Sequence, residues 1–182
     1  VYGKAKVDAM AERIREINPE CRVTCIEDFV THENLNEILH AGFAVVIDAI
    51  DQVKIKAAMI AHCHQQGTPI IVAGAAGGQI DPTQIRLADL TQTVQDPLLA
   101  RVRSILRREY GFAREGKKKF GIPAVFSTEP LRYPETAEAC ATDNGPTGLN
   151  CAGFGSSVCV TSVFGMAAAA HAIQTIIATD PA

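Results

Sequence analysis

The sequence predicts an α/β fold built on a mostly parallel sheet flanked by helices, and three observations carry that prediction. Ala44-Val45-Val46-Ile47 is continuously apolar and runs into Asp48 and Asp51, the pattern of a strand buried on both faces. A second apolar run, Thr68 to Ala73, follows a helical stretch, Val53 to Gln66, which Gly67 closes. Strand, helix and strand at this spacing make βαβ units, with parallel strands and right-handed crossovers. In such sheets ligands collect at the carboxyl ends of the strands, where the two aspartates stand. A magnesium–nucleotide or a ribose is therefore a candidate occupant.

The elements follow in chain order. Lys4 to Ile17 reads as a helix: Val7, Met10, Ile14 and Ile17 recur at helical spacing, while Glu12, Arg13, Arg15 and Glu16 face mostly solvent. Asn18-Pro19 stops it. Arg22 to Ile26 reads as a short strand, and Thr31 or Asn34 as the cap of a helix through Leu39. Next come the strand ending at Asp51, the Val53–Gln66 helix, read as amphipathic, and the Thr68–Ala73 strand. Gly74 to Pro82 is rich in turn residues. A phosphate loop would lead straight into a helix whose N–H groups face the anion. Here Gln84 to Leu87, a strand, follows instead, so the passage reads as a turn lining the site. Asp96-Pro97 opens a helix to about Tyr110, Pro suiting the first helical position. Gly111 to Gly121 is a basic loop, Ala124 to Ser127 a strand, Pro134 to Asn150 a polar loop, and Ser157 to Ile177 a final helix. With no internal repeat and no interdomain linker, residues 1–182 read as one domain with a basic insert at about 96–121.

Of the 182 residues 47% are hydrophobic, enough for a real core. The net charge of −3 selects no partner class, but its distribution does. From Arg101 to Lys119, eight Lys or Arg stand against two Glu, a local +6 that leaves −9 on the remainder. A basic insert on an acidic body is a candidate polyanion contact; a solvated helix face is the plain alternative. The six cysteines form no C-x-x-C pair and no zinc-finger spacing, and no signal peptide is visible, so free thiols in a reducing cytoplasm are expected. His62 and His64 have no convincing third ligand. The final helix has the length to span a bilayer. It is rich in Ala, interrupted by Gly165, and carries His171 and Gln174, so a buried helix is expected and membrane association is not.

Three landmarks then line up: Gly3-Lys4-Ala5-Lys6-Val7 opening a helix, Ile17-Asn18-Pro19 ending it, and Ile47-Asp48-Ala49-Ile50-Asp51. In order and spacing they resemble the ThiF/MoeB/HesA family, bacterial relatives of the ubiquitin-activating enzymes, over essentially the whole chain. Gly77 to Ile85, Val125 to Glu129 and Cys151 to Gly155 are similar to the subgroup that dehydrates threonylcarbamoyladenosine at position 37 of tRNA. The resemblance implies a Rossmann-like adenylating domain, ATP and Mg²⁺ as cofactors, and ring closure through an adenylated carboxylate. It also implies that an N-terminal βα portion lies upstream of Val1, with the glycine-rich phosphate turn, the ribose-binding acid and the family's site arginine and asparagine. The chain opens on Val1-Tyr2-Gly3-Lys4, without Met or a first strand, and by itself is expected to bind ATP poorly.

Residue by residue, the resemblance gives Lys6 to the ATP phosphates, Asp51 to the metal and phosphates, and Phe29, more loosely, to the adenine. Asp51 has a plain alternative as a helix cap. Asp48 needs a buried partner, and structural and site roles both stand open for it. The subgroup resemblance turns the basic insert into a candidate tRNA surface, with Arg103, Arg107, Lys117, Lys118 and Lys119 on its phosphates. Thiol-ester relatives use a loop cysteine, for which Cys151 stands ahead of Cys140; Cys21, Cys25, Cys63 and Cys159 read as packed. The implied partners are tRNA, a second copy of the chain through the apolar terminal helix, and a sulfur-relay protein, but not DNA, in the cytoplasm. Two rival readings remain. One is a MoeB/ThiF-type sulfur-carrier adenylyltransferase, many of which carry paired C-x-x-C zinc motifs that this chain lacks. The other is a non-catalytic remnant that binds tRNA or a partner.

Overall fold

A computed structural model of the chain describes residues 3–40, 42–114, 118–132 and 155–179. The chain divides into two compact units, Val1–Thr31 and His32–Ala182.

In the first unit α1 spans Lys6–Ile17. It ends where predicted, the Asn18 N–H returning to the Ile14 carbonyl at 2.8 Å just before Pro19. Ala11 is buried, whereas Met10 is 57% and Ile17 83% exposed, so the buried stripe is narrower than the spacing predicts. The strand expected at Arg22–Ile26 is irregular chain. β-branched residues favour a strand only where a neighbour completes the ladder, and among the described residues none does. Cys21 and Cys25 are exposed rather than packed.

In the second unit α2 is a single turn, Leu35–Ile38, shorter than the helix predicted through Leu39. β1 covers only Val46–Asp48, because Asp48 Oδ1 accepts the Ile50 N–H at 3.0 Å and turns the chain before Asp51. α3 runs Val53–Gln66, and Gly67 closes it in the left-handed region at φ 69°. Read as amphipathic, α3 instead buries Lys56 through Ala61 without a break, since it packs on both the sheet and the next long helix. β2 is Ile70–Ala73, β3 Ile85–Asp89, α4 Pro97–Glu109, β4 Pro123–Ser127 and α5 Val158–Thr179. α4 begins as predicted: Pro97 occupies its first turn, and the Asp96 side chain caps it by accepting from the Leu99 N–H.

Among the described residues four strands make one sheet in the order β1-β2-β4-β3. β1, β2 and β4 are parallel; β3 pairs antiparallel with β4 at the edge. Ile71 and Val125 face α5, whose Val160, Phe164, Ala168 and Ala172 recur every four residues and bury against them. Each large apolar side chain so buried contributes about 1.5–3 kcal/mol. By strand alternation Val72 and Ala124 take the other face, toward α3, which packs on β2 and α4. α5 is long and apolar enough to cross a membrane by length and composition. The expectation of a buried helix holds for one stripe of it; Val158, Met166, Ile173 and Ile177 are exposed, as is Cys159.

Asp89 ties the start of β4 to the end of β3. Its Oδ1 accepts from the Thr91 N–H at 2.9 Å, the Thr91 hydroxyl at 2.6 Å and the Phe120 N–H at 3.2 Å, and its Oδ2 from the Gly121 N–H at 2.7 Å. Partial burial pushes this carboxyl up, but the hydrogen bonds outweigh it and hold the pKa below the usual range. A group depressed in this way stabilises the fold above its unfolded value, about 3.9, and loses that contribution as pH falls below it. Asp89→Ala is expected to cost about 1–3 kcal/mol near neutral pH. In urea melts, its deficit should shrink at pH 3.

Candidate functional site

Because β1 and β2 are parallel they end on the same side, and the segments that leave them form two walls of a cleft of about 330 Å³. One wall is Ile47 with the corner Ala49–Asp51; the other is the turn Gly74–Gly77. Thr161, Phe164, Gly165 and Ala168 of α5 also line it. The lining is mostly apolar, and Asp51 is its one ionisable side chain among the described residues. The N-cap of α3 is Gln52, so Asp51 does not hold the capping position. The Gly74–Gly78 passage is a turn at the cleft, as read from the sequence, with a 3-10 turn and β3 after it rather than a long helix.

Buried charge lies beneath both walls. Lys56 Nζ sits 3.0 Å from Asp48 Oδ1, with both side chains fully buried, and donates also to the Asp48 carbonyl at 3.3 Å. This supplies the partner that a buried Asp48 requires; among the described residues its Oδ2 accepts no hydrogen bond. Burial pushes the Asp48 carboxyl up, against the pull of Lys56 and the Ile50 N–H. Burial pushes Lys56 down, against Asp48 first and then Asp96 and Asp51. Asp96, also buried, accepts the Leu99 N–H on Oδ1 and the Ala75 N–H on Oδ2, each at 2.9 Å. Burial raises its pKa, opposed by those N–H groups and by Lys56. The far end of the turn hangs on Glu129, 3% exposed, whose Oε2 accepts the N–H groups of Ile80 at 2.9 Å and Asp81 at 2.8 Å.

Lys56, Asp96 and Glu129 escaped the sequence reading as supports of the site. A lysine inside the apolar stretch Ile55 to Ala61 was the signal for the first. Cys63 is the packed thiol among the described cysteines; burial and then the Asp48 charge push it up to about 11, so it stays protonated near neutral pH.

Of the other candidates, Lys6 is exposed at the first residue of α1 and Phe29 is 76% exposed, both in the first unit. Asp48 and Asp51 belong to the second. The Arg103 guanidinium is engaged inside the fold, donating to the Leu90 carbonyl at 3.4 Å and to the Thr93 hydroxyl. Arg107 lies over the Phe120 ring, 5.5 Å from its centroid. Arg103, Arg107, Arg108 and Arg114 line one groove, and Lys118 and Lys119 line another with His64 and Phe112. Lys117, Cys140 and Cys151 lie outside the described residues. Among those described, no group of three His, Cys, Asp or Glu is placed to hold a metal.

The pattern of the ThiF family matches residues 1–182, the whole chain. The chain belongs to the ThiF family. Among its ThiF relatives, the tRNA threonylcarbamoyladenosine dehydratase of Haemophilus influenzae is 49% identical over 176 residues, which are 96% of this chain and 66% of that protein. The enzyme of the same name from Escherichia coli K12 is 49% identical over 181 residues, 97% of this chain and 68% of that protein. The crystal structure of the E. coli dehydratase in complex with ATP superposes with a TM-score of 0.83 at 46% identity, over 97% of this chain and 65% of that one. The α/β fold with its parallel-dominated sheet and C-terminal helix is thus that of ThiF proteins. This chain spans about two thirds of the length of these relatives.

Proposed function

We propose that the protein acts in the ATP-dependent dehydration of threonylcarbamoyladenosine at position 37 of tRNA. The observation that carries this reading is an exposed carboxylate, Asp51, the one ionisable side chain among the described residues that line a mostly apolar cleft at the carboxyl ends of β1 and β2. The names of the relatives at 49% identity supply the substrate, and the ATP complex of the E. coli enzyme supplies the nucleotide.

A free carboxylate is a poor electrophile. Attack of the threonine carboxylate oxygen on the α-phosphorus of ATP forms an acyl adenylate and releases pyrophosphate. The neighbouring carbamoyl group then attacks the acyl carbon and closes the ring, a proton is lost, and AMP leaves with the bonding electrons. The nucleoside is lighter by one water. Tethering both reacting groups on one nucleoside supplies the proximity. Lys6 would contact the phosphates and Phe29, more loosely, the adenine, as the resemblance implies. Mg²⁺ keeps several waters and takes only one or two carboxylates plus phosphates, so Asp51 suits it as the lone protein ligand. The ion would neutralise phosphate charge. Ring closure needs no covalent enzyme intermediate, so Cys151 has no required role.

The basic segment is the tRNA surface in this reading, with Arg107, Arg108, Arg114, Lys118 and Lys119 on phosphates; Arg103 serves more to fix α4. Changing Lys117, Lys118 and Lys119 to Gln should weaken tRNA binding. It should also flatten the dependence of log K on log salt by about 0.7–0.9 for each phosphate no longer neutralised. Filter binding from low to moderate salt reads the slope; an unchanged slope returns the segment to a solvated face. The exposed apolar residues of α5 are offered to a second copy of the chain, and light scattering on the full-length protein tests that. Pyrophosphate exchange into ATP tests the adenylation step. Exchange that depends on the modified tRNA supports the dehydratase; exchange that depends on a small carrier protein favours the MoeB/ThiF-type reading.

A further inference from the structure

We propose that Asp96 is a positioning residue for the reaction, holding the Gly74–Ala75 wall of the cleft at a fixed distance from α4. The inference rests on the dehydratase reading and deepens it.

The geometry is specific to a carboxylate. Asp96 faces two backbone donors with two oxygens: Oδ1 takes the Leu99 N–H at the start of α4, and Oδ2 takes the Ala75 N–H in the cleft wall. An asparagine has one acceptor oxygen, so it serves one donor and turns its NH₂ toward the other. The approach also requires a glycine. A Cβ on Gly74 would stand 2.0 Å from Asp96 Oδ2, an overlap that forces the carboxylate or the turn to move, and 3.1 Å from Leu99 Cδ1. Gly74 is therefore explained by the contact it permits rather than by a phosphate.

The same device recurs across the cleft. Asp48 Oδ1 holds the Ile50 N–H at the corner that presents Asp51. Lys56, wholly buried, bonds Asp48, and its charge also acts on Asp96, as does that of Arg103. Both walls are thus fixed by carboxylates that accept backbone N–H groups. A carboxylate that only capped α4 would need a single oxygen; the second is spent on the wall.

The test uses the full-length protein with Asp96→Asn, which keeps an acceptor for the cap. The expected result is a fall in kcat for ring closure of about 30-fold, a KM for ATP within about threefold of wild type, and faster amide exchange confined to the peptide containing Ala75. Gly74→Ala should act alike, and in an Asp96→Ala background it should cost at least fivefold less than in the wild type, because the 2.0 Å overlap is gone and only the tight Leu99 contact remains. Wild-type kcat in Asp96→Asn, unchanged exchange at Ala75, or full additivity of Gly74→Ala with Asp96→Ala each overturns the proposal. The exchange measurement needs no turnover. A wild-type protein that closes no ring therefore counts against the dehydratase reading, while exchange still judges the contact.

Discussion

Asp51→Asn in the full-length protein is expected to reduce ATP-dependent ring closure by about 10²-fold or more, the scale of losing one preorganised contact to a charge-bearing transition state. The side chain is exposed at the cleft and Asn keeps its shape, so the folded state is expected to persist. Binding of tRNA should survive, because the basic segment that would grip it lies elsewhere on the chain. Single-turnover kinetics beside a tRNA binding curve separate the two. Lost tRNA binding with unchanged turnover would contradict the role assigned to Asp51.

The second large effect concerns stability. Lys56→Met leaves Asp48, with no exposed surface, as an uncompensated buried carboxylate, and is expected to cost about 3–5 kcal/mol. The double change Asp48→Asn with Lys56→Met should recover most of that, because Asn keeps an acceptor for the Ile50 N–H and removes the charge. The pH dependence has a definite sign. Burial holds the Asp48 carboxyl above its ordinary range. A group raised on folding is harmless below its unfolded pKa, about 4, and destabilises as pH rises toward the folded value. The Lys56→Met deficit should therefore be small near pH 4 and grow toward pH 7, while the double variant shows no such trend. Guanidinium unfolding at the two pH values decides it. A single-variant loss below about 1 kcal/mol at pH 7 would mean that the pair is not sealed from water.

Local signals made much of this fold legible. Gly67 and Asp96-Pro97 mark helix boundaries because a left-handed C-cap and a capped N-terminus are properties of a few adjacent residues. The apolar runs at Val46 and Ile70 do become parallel strands, but burial on both faces holds for β2 only, since Ile47 of β1 is 46% exposed. Properties set by distant chain were not legible. Arg22–Ile26 has strand-like residues but no neighbour to pair with among those described. α3 looked two-faced until α4 and the sheet both covered it. The site divides the same way: Asp51 was found by its place after an apolar run, whereas the role of Asp96 depends on Ala75, 21 residues earlier in the chain. The Lys56–Asp48 pair spans only 8 residues, but nothing in the sequence states that both ends are sealed from water.

The most direct measurement incubates the full-length protein with Mg-ATP and tRNA bearing threonylcarbamoyladenosine, digests the tRNA gently, and weighs the nucleosides. The account predicts a product lighter by one water that appears only with ATP and is lost with Asp51→Asn. An unchanged nucleoside, with ATP consumed only when a small carrier protein is supplied, would contradict it.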